Sequence, residues 1–403
     1  MTDRPADRPR LRLKPKAERR TLLGHPWIFS NELEMEGEAK TLEPGALVSI
    51  ETARGQPLGC YIYNRHPLIA ARRLSADPAA RIDADFFAAL LGRAADLRER
   101  LIGVPFYRLI HAEADGLPGC IVDRYGDAVV LQINTAGLDR QREALLAALD
   151  QVCRPQTVVL RNDSAARELE GLERSVEVLR GSVASPIEIV EHGARFLADL
   201  GTGQKTGWFY DQRDNRVWAA DLIRRAPRPP RVLDLYAFCG GFAVQAALAG
   251  AGEVLAVDRS QAAIDVAAAA AALNGVAERC RFERADVFGA LDRLTAGDER
   301  FDLVIADPPA FAKSRKDVPQ ALRAYRKLAR LTAGRVAEGG FLVCCSCSHH
   351  ITPEAFHEQV ARGINDAGRA ARLLRAAGAA TDHPTHPQLP ESAYLKALFF
   401  ALD

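Results

Sequence analysis

After about Val190 the chain alternates five apolar runs, RVLDLYA, EVLAVD, CRFERAD, FDLVIADPP and GGFLVCCSCS, with helical segments that include Gln261 to Leu273 and Pro319 to Val336. This alternation leaves few folds open. Strands joined by helices must cross over to lie parallel, and a parallel sheet is covered by helices on both faces. The pattern predicts an α/β unit, with ARLLRAA and YLKALFFALD forming a closing hairpin.

The preceding sequence has a different texture. At 403 residues the chain exceeds one ordinary domain, and two or three cores are expected. Between Arg12 and about Ser75 short β-like runs (ALVSIE, PLGCYIYN, PLIAARRL) are broken by turn signals such as Glu43-Pro44-Gly45, as in a small barrel. From Arg81 to about Ile102 the spacing is helical, with Phe86, Phe87, Leu90, Leu91 and Leu97 on one side. Strands around HAEADGLPGCIVDRYGDAVVLQI and QTVVLR follow. The expected domains are therefore 1–78, a small β-barrel; 79–190, an α+β unit; and 191–403, the α/β unit.

A net charge of +1 carries no argument for nucleic acid, so any basic face must be local. Arg4, Arg8, Arg10, Arg12, Lys14, Lys16, Arg19 and Arg20 crowd the start against Asp3, Asp7 and Glu18. Such a cluster either neutralises phosphates or forms a solvated, partly disordered tail. No segment supplies the roughly 18 uninterrupted apolar residues of a membrane span, and no signal peptide or membrane partner is expected. Most of the eight cysteines stand singly in apolar surroundings, which fits reduced thiols and a cytoplasmic location.

In doubly wound sheets, ligands bind beyond the carboxyl ends of the strands. The first of these strands runs into LDLYAFCGGF, where Gly240 and Gly241 open a helix without G-x-G-x-x-G spacing. Asp234 lies within that strand, Asp258 ends the second, and Asp286 ends the third. An acid after the second strand can accept both ribose hydroxyls, and one after the third an adenine amino group. Together they describe an adenosine pocket without a pyrophosphate, which suits S-adenosylmethionine and resembles the class I methyltransferase fold. The fourth strand ends in Asp307-Pro308-Pro309, a stiff turn that holds a carboxyl where it can bond a nucleobase's amidine edge. Ala310 follows, and the first aromatic, Phe311, comes one position later than in amino-group methyltransferases.

The fifth strand ends in Cys344-Cys345-Ser346-Cys347 and then His349-His350. Alternation along a strand sends these cysteines to opposite faces, and no C-x-x-C partner pair exists elsewhere, so no metal is expected. Cys344 and Cys345 read as small buried hydrophobes, and Cys347 is best placed to be exposed and ionised. A thiolate beside the methyl donor suits methylation of carbon 5 of a pyrimidine, which needs a nucleophile added at carbon 6.

Several long motifs in order resemble the bacterial large-subunit ribosomal RNA cytosine-5 methyltransferases, in which a PUA domain precedes the catalytic domain. They are HPWIFSNEL, HAEADGLPGCIVDRYGD, KTGWFYDQRDNR, DLYAFCGGF, DPPAFAK, CSCS and DHPTHPQLPESAYLKAL, spanning nearly the whole chain. The resemblance implies a Rossmann-like catalytic domain with a mostly parallel seven-stranded sheet, S-adenosylmethionine as cofactor and ribosomal RNA as partner. It further implies roles for Asp211 and Gln212 in a segment closing over the cofactor, Asp258 on the ribose, Asp286 on the adenine, Asp307 near the target base and Cys347 as nucleophile. Relatives often carry a second cysteine where Ala310 stands, so a single-cysteine cycle is implied; Asp307, Lys313 and a water remain open as the carbon-5 proton acceptor. Two other functions remain open: methylation of a purine nitrogen without a thiol, and RNA binding or ribosome assembly without catalysis.

Overall fold

The computed structural model describes residues 5–183, 186–201 and 207–403. The chain divides into two compact units: Met1–Ser185 with Leu200–Gly207 and Asp382–Ser392, and Pro186–Asp199 with Trp208–Thr381 and Ala393–Asp403.

The first unit contains two five-stranded sheets. One runs, in spatial order, Arg10–Arg12, Ala46–Glu51, Pro57–Tyr63, Ile69–Ser75 and Trp27–Phe29. A bridge between Leu13 and Leu33 draws its two edges together, giving the barrel-like form that the short runs predict. Alternate residues such as Val48, Ile50, Tyr61 and Tyr63 point into its core. Arg4 lies outside the described residues, and the remaining basic start is not a loose tail. Arg8 is 6% exposed and donates to the carbonyls of Pro78 and Ala80. Arg20 pairs with Glu32 at 3.0 Å, and Arg10 and Arg12 lie 3.8 and 3.7 Å from Glu51. Lys14, Lys16 and Arg19 stay exposed.

The second sheet has the order Ser175–Arg180, Thr157–Asn162, Ala128–Ile133, Cys120–Tyr125 and Phe106–His111, and the helix Ala84–Ile102 packs with it in one core. Asp83 caps that helix by accepting from the Phe86 amide at 3.1 Å, and Gly103 ends it in the left-handed region. Its buried face is Phe87, Leu91, Ala94, Ala95 and Arg98, whereas Leu97 is 36% exposed. Leu97 therefore departs from expectation. Arg98 turns inward because Asp115 accepts from both terminal guanidinium nitrogens at 2.7 Å and the Asp382 carbonyl accepts a further bond at 3.1 Å.

The His111 and His383 rings meet at a tilt in this region, with centroids 5.0 Å apart. Burial, then His383, Arg108 and Arg98, push His111 down to about 2. Below pH 6.5 the unfolded chain takes up a proton that the folded chain refuses until about pH 2, so stability falls with acidification across that window. The expected slope is about 1.4 kcal/mol per pH unit. Denaturant titrations at pH 7.5 and 5.0 should show this loss in the wild type and a flatter dependence in His111→Gln; equal slopes would exclude His111 as its source.

The second unit is built on a seven-stranded sheet. Its strands are β1 (Arg231–Leu235), β2 (Glu253–Asp258), β3 (Cys280–Arg284), β4 (Phe301–Ala306), β5 (Val336–Ser346), β6 (Ala371–Ala377) and β7 (Lys396–Leu402). The spatial order is β3-β2-β1-β4-β5-β7-β6, parallel except for β7, which pairs antiparallel with both β5 and β6. The helices are α1 (Arg213–Arg224), α2 (Gly241–Leu248), α3 (Gln261–Leu273), α4 (Val287–Ala296), α5 (Val318–Ala333) and α6 (Pro353–Asp366). Leu233, Leu255 and Val257 share a core with Leu291, Tyr325 and Leu328 from α4 and α5.

Two boundaries differ from the sequence reading. Helix α5 stops at Ala333 and Val336 already belongs to β5, because Gly334 ends the turn and buried Arg335 is held by the carbonyls of Leu294 and Glu299. Strand β3 stops at Arg284, so Asp286 lies past the strand as the N-cap of α4.

Candidate active site

The turn after β1 is built from unusual backbone. Tyr236, Phe238 and Gly240 have φ of 63°, 48° and 78°, and left-handed conformations at two non-glycine residues persist only where surrounding contacts impose them. Those contacts are present: the Ala237 amide donates to the Val257 carbonyl at 3.1 Å, and the Phe238 amide donates to Asp258 Oδ2 at 3.0 Å. A Cβ at Gly240 would stand 2.9 Å from the Ala267 Cβ, so glycine also lets α2 approach α3. Asp234 is 1% exposed and accepts from the Ala243 amide at 3.0 Å, tying the start of α2 to β1. Burial, with Asp307 and Asp258 adding to it, pushes its carboxyl well above the usual range.

Asp258 is half-buried, and its Oδ1 accepts from the Ser260 amide at 2.9 Å. Each oxygen has one backbone partner in these bonds and a remaining lone pair, which two vicinal hydroxyls could share. Asp286 is exposed and accepts from the Gly289 amide at 3.0 Å. With Asp307 just past β4, the carboxyl edge of the sheet gathers three further aspartates, and the turn after β1 lacks the G-x-G-x-x-G spacing of a phosphate-binding loop. That donor set fits a cationic, phosphate-free nucleoside such as S-adenosylmethionine.

The segment preceding α1 packs against this turn; its Lys205 lies outside the described residues. Glu191, fully buried, accepts from Arg216 Nε at 2.6 Å, Arg216 Nη2 at 2.8 Å and Trp208 Nε1 at 3.2 Å. Burial alone would raise the Glu191 carboxyl, but Arg216, Arg213 and Trp208 outweigh it and hold the group below its usual value. Arg216 also donates to the Phe209 carbonyl at 2.9 Å, and the Phe209 and Phe238 rings meet edge-on at 5.0 Å. Asp211 and Gln212 are consequently buried. Asp211 Oδ2 accepts from the Tyr394 hydroxyl at 2.5 Å, and Gln212 Oε1 accepts from Asn215 at 2.7 Å.

The register of β4 and β5 pairs Ala306 with Cys344, which sets Asp307 beside the end of β5. Burial pushes the Cys344 thiol up to about 12, and burial followed by Asp307 pushes Cys345 well above its usual value. Both remain neutral thiols at pH 7. Cys344 belongs to the apolar core, whereas Cys345 interacts with Gln212 and Asp307 as well as being buried. Cys347 is half-buried just past the strand.

The two serines of the run have their own function. Ser346 Oγ and Ser348 Oγ each lie 2.9 Å from the Tyr325 hydroxyl of α5, and Ser348 Oγ accepts from the Ala312 amide at 3.3 Å. This buried hydroxyl network ties the turn bearing Cys347 to the loop after Asp307-Pro308-Pro309. Phe311 packs on Tyr325 with centroids 4.7 Å apart and turns into the protein. Lys313 is exposed. Sequence reasoning missed Tyr325, Tyr394 and Lys396, although the alternation of serine with cysteine was a readable sign of a polar face. Among the described residues, no group of three or more His, Cys, Asp or Glu side chains is arranged to hold a metal, and no helix is long and apolar enough to cross a membrane.

The sheet order and the acids at its carboxyl edge define a class I methyltransferase. Residues 157–401 match the S-adenosylmethionine-dependent methyltransferase profile, and residues 11–76 match a PUA-like domain. The chain belongs to the S-adenosylmethionine-dependent methyltransferase family that includes the ribosomal RNA large subunit methyltransferase I of Erwinia tasmaniensis, to which it is 38% identical over 394 residues, 96% of this chain and 98% of that protein. The protein of the same name from Shigella boydii is 36% identical over 393 residues, again 96% and 98% of the two chains. Among solved structures, a methyltransferase from Streptococcus mutans superposes with a TM-score of 0.80 at 21% identity, covering 98% of this chain and all of that one. A methyltransferase complexed with SAH gives 0.82 at 21% identity, with coverage of 98% and 100%. The cofactor is S-adenosylmethionine.

Proposed function

We propose that this protein methylates carbon 5 of a cytosine in large-subunit ribosomal RNA through a covalent adduct on Cys347. The observation that carries the reading is the β4–β5 register, which brings the half-buried Cys347 to the same sheet end as Asp307 while Cys344 and Cys345 stay protonated. The named substrate of the curated relatives supports the choice of RNA.

In this reading Asp258 accepts the ribose hydroxyls and Asp286 the adenine amino group. Gly240 and Asp234 shape the turn beneath them, and Asp211 and Gln212 line the segment above. The bound cofactor supplies an electrophilic methyl group. Asp307 holds the amidine edge of an extruded cytosine. The Cys347 thiolate bonds to carbon 6, and the displaced electron pair makes carbon 5 the nucleophile that takes the methyl group. Transfer of the carbon-5 proton to a base, for which Asp307, Lys313 and a water stay open, and breaking of the bond between carbon 6 and sulfur then return the thiolate. A nitrogen-methylating role is disfavoured because Phe311, the aromatic available to stack a base, packs on Tyr325 instead. The PUA-like domain, with exposed Lys14, Lys16 and Arg19, contacts RNA backbone.

Bisulfite sequencing of ribosomal RNA tests the reading. One protected cytosine in the large-subunit RNA should lose protection in a gene deletion and remain unprotected when Cys347→Ala is supplied. An unchanged pattern rejects carbon 5 and directs the search to methylated purines. Asp258→Ala should weaken S-adenosylmethionine binding about 10- to 100-fold by isothermal titration calorimetry, the cost of losing charge-assisted bonds to two hydroxyls; undiminished affinity would remove Asp258 from the cofactor.

A further inference from the structure

Lys396, the first residue of β7, is 6% exposed. Its Nζ donates to the Ser348 carbonyl at 2.7 Å and the Ile351 carbonyl at 3.0 Å, both in the turn that Cys347 begins. These partners are neutral, and among the described residues no carboxylate pairs with the ammonium. An ammonium buried without a counter-charge is costly, and carbonyl dipoles offset only part of that cost. Burial accordingly pulls Lys396 down to about 8, and the opposing influence is the Cys347 thiol. The interaction is mutual: whatever charge Cys347 lends to Lys396, Lys396 returns by favouring sulfur in its anionic form.

Other ionisable groups also surround this turn. Tyr325 faces Cys347 from α5, Cys345 lies on the same strand, and Asp307 acts on Cys345 from the end of β4. His349, in the turn itself, stacks on Tyr394 at 5.1 Å.

We propose that Lys396 is the positioning residue for Cys347: its buried ammonium clamps the turn through two carbonyls and makes the thiolate the favoured form, with the thiol proton released to solvent. This inference rests on the reading of Cys347 as the nucleophile and adds the group that readies it. A purely structural clamp would need the hydrogen bonds but not the charge, which separates the two ideas.

The test is the pH profile of Cys347 alkylation by iodoacetamide in the full-length protein, followed by peptide mass spectrometry so that the other cysteines are resolved. Lys396→Met should slow labelling of Cys347 about tenfold at pH 7, as expected when a neighbouring cation is lost. Lys396→Arg should stay close to wild type at that pH. Methyl transfer by Lys396→Met should fall in parallel at pH 7 and recover toward pH 9, where the thiolate forms unaided. Coincident labelling profiles for wild type and Lys396→Met would overturn the proposal. If Lys396→Met does not fold, wild type and Lys396→Arg decide the matter: a wild-type labelling midpoint at or above the ordinary cysteine value of about 8.5 overturns it. Labelling does not require methyl transfer. A shifted profile together with active Cys347→Ala would therefore sink the nucleophile assignment while leaving the effect of Lys396 on the thiol intact.

Discussion

Purified Cys347→Ala protein should lose methyl transfer to RNA by about 10⁴-fold or more, the scale seen when a covalent nucleophile is removed, while binding of S-adenosylmethionine and thermal stability should stay near wild type. Both halves of the result follow from position. Cys347 lies outside the apolar core that holds Cys344, and the acids assigned to the nucleoside are at the end of β2 and the N-cap of α4. A sharper readout uses RNA carrying 5-fluorocytidine at the target. Fluorine cannot leave carbon 5 as a proton does, so the enzyme stays bonded to carbon 6, and wild type should give a denaturation-resistant protein–RNA band that Cys347→Ala lacks. Retained methylation by the alanine variant would transfer the chemistry to a nitrogen atom and end the covalent reading.

Glu191→Gln should destabilise the catalytic unit by about 3–5 kcal/mol, the usual consequence of removing one partner from a buried ion pair. Glu191 is fully buried and Arg216 3% exposed, so the guanidinium left behind has no water to turn to. The damage extends to the cofactor side. Arg216 holds the Phe209 carbonyl, and the ring of Trp208 lies under the Arg216 guanidinium at 4.8 Å. A Cβ on Gly241 would come within 3.1 Å of Arg216 Cδ, a measure of how closely this segment covers the start of α2. Urea denaturation should show the loss, with a weaker S-adenosylmethionine affinity beside it. The double variant Glu191→Gln/Arg216→Met should recover part of the stability, because no isolated charge then remains. Strict additivity of the two single changes would mean that the pair is not energetically coupled.

Much of the proposed site was legible before any coordinates because its residues lie at strand ends. Asp258, Asp307 and Cys347 each close or follow an apolar run, and in an α/β sheet such ends converge on one edge. Asp286 was legible as an acid near the end of β3, but not as a helix cap, since a strand and the following cap are both compatible with ERAD. Asp234 was read within β1 as a third acid of the cofactor pocket. Its inward turn toward the Ala243 amide depends on where α2 begins in space. On the helix Ala84–Ile102, an apolar count chose Leu97 over Arg98, because the carboxylate that draws Arg98 inward belongs to a different segment.

The sequence by itself determined the parallel core of the sheet and the order of its strand-end acids and cysteines along the chain, since alternating strand and helix patterns admit only short, right-handed crossovers. Only the tertiary structure decided where Lys396 is buried and which carbonyls it meets. Strand β7 pairs antiparallel with β6 as the expected closing hairpin, but its pairing with β5 has no local signal, and that register sets Lys396 opposite Ser346. A buried charge is recognised by what surrounds it, and the surroundings of Lys396 are assembled from a turn and a strand that meet only after folding.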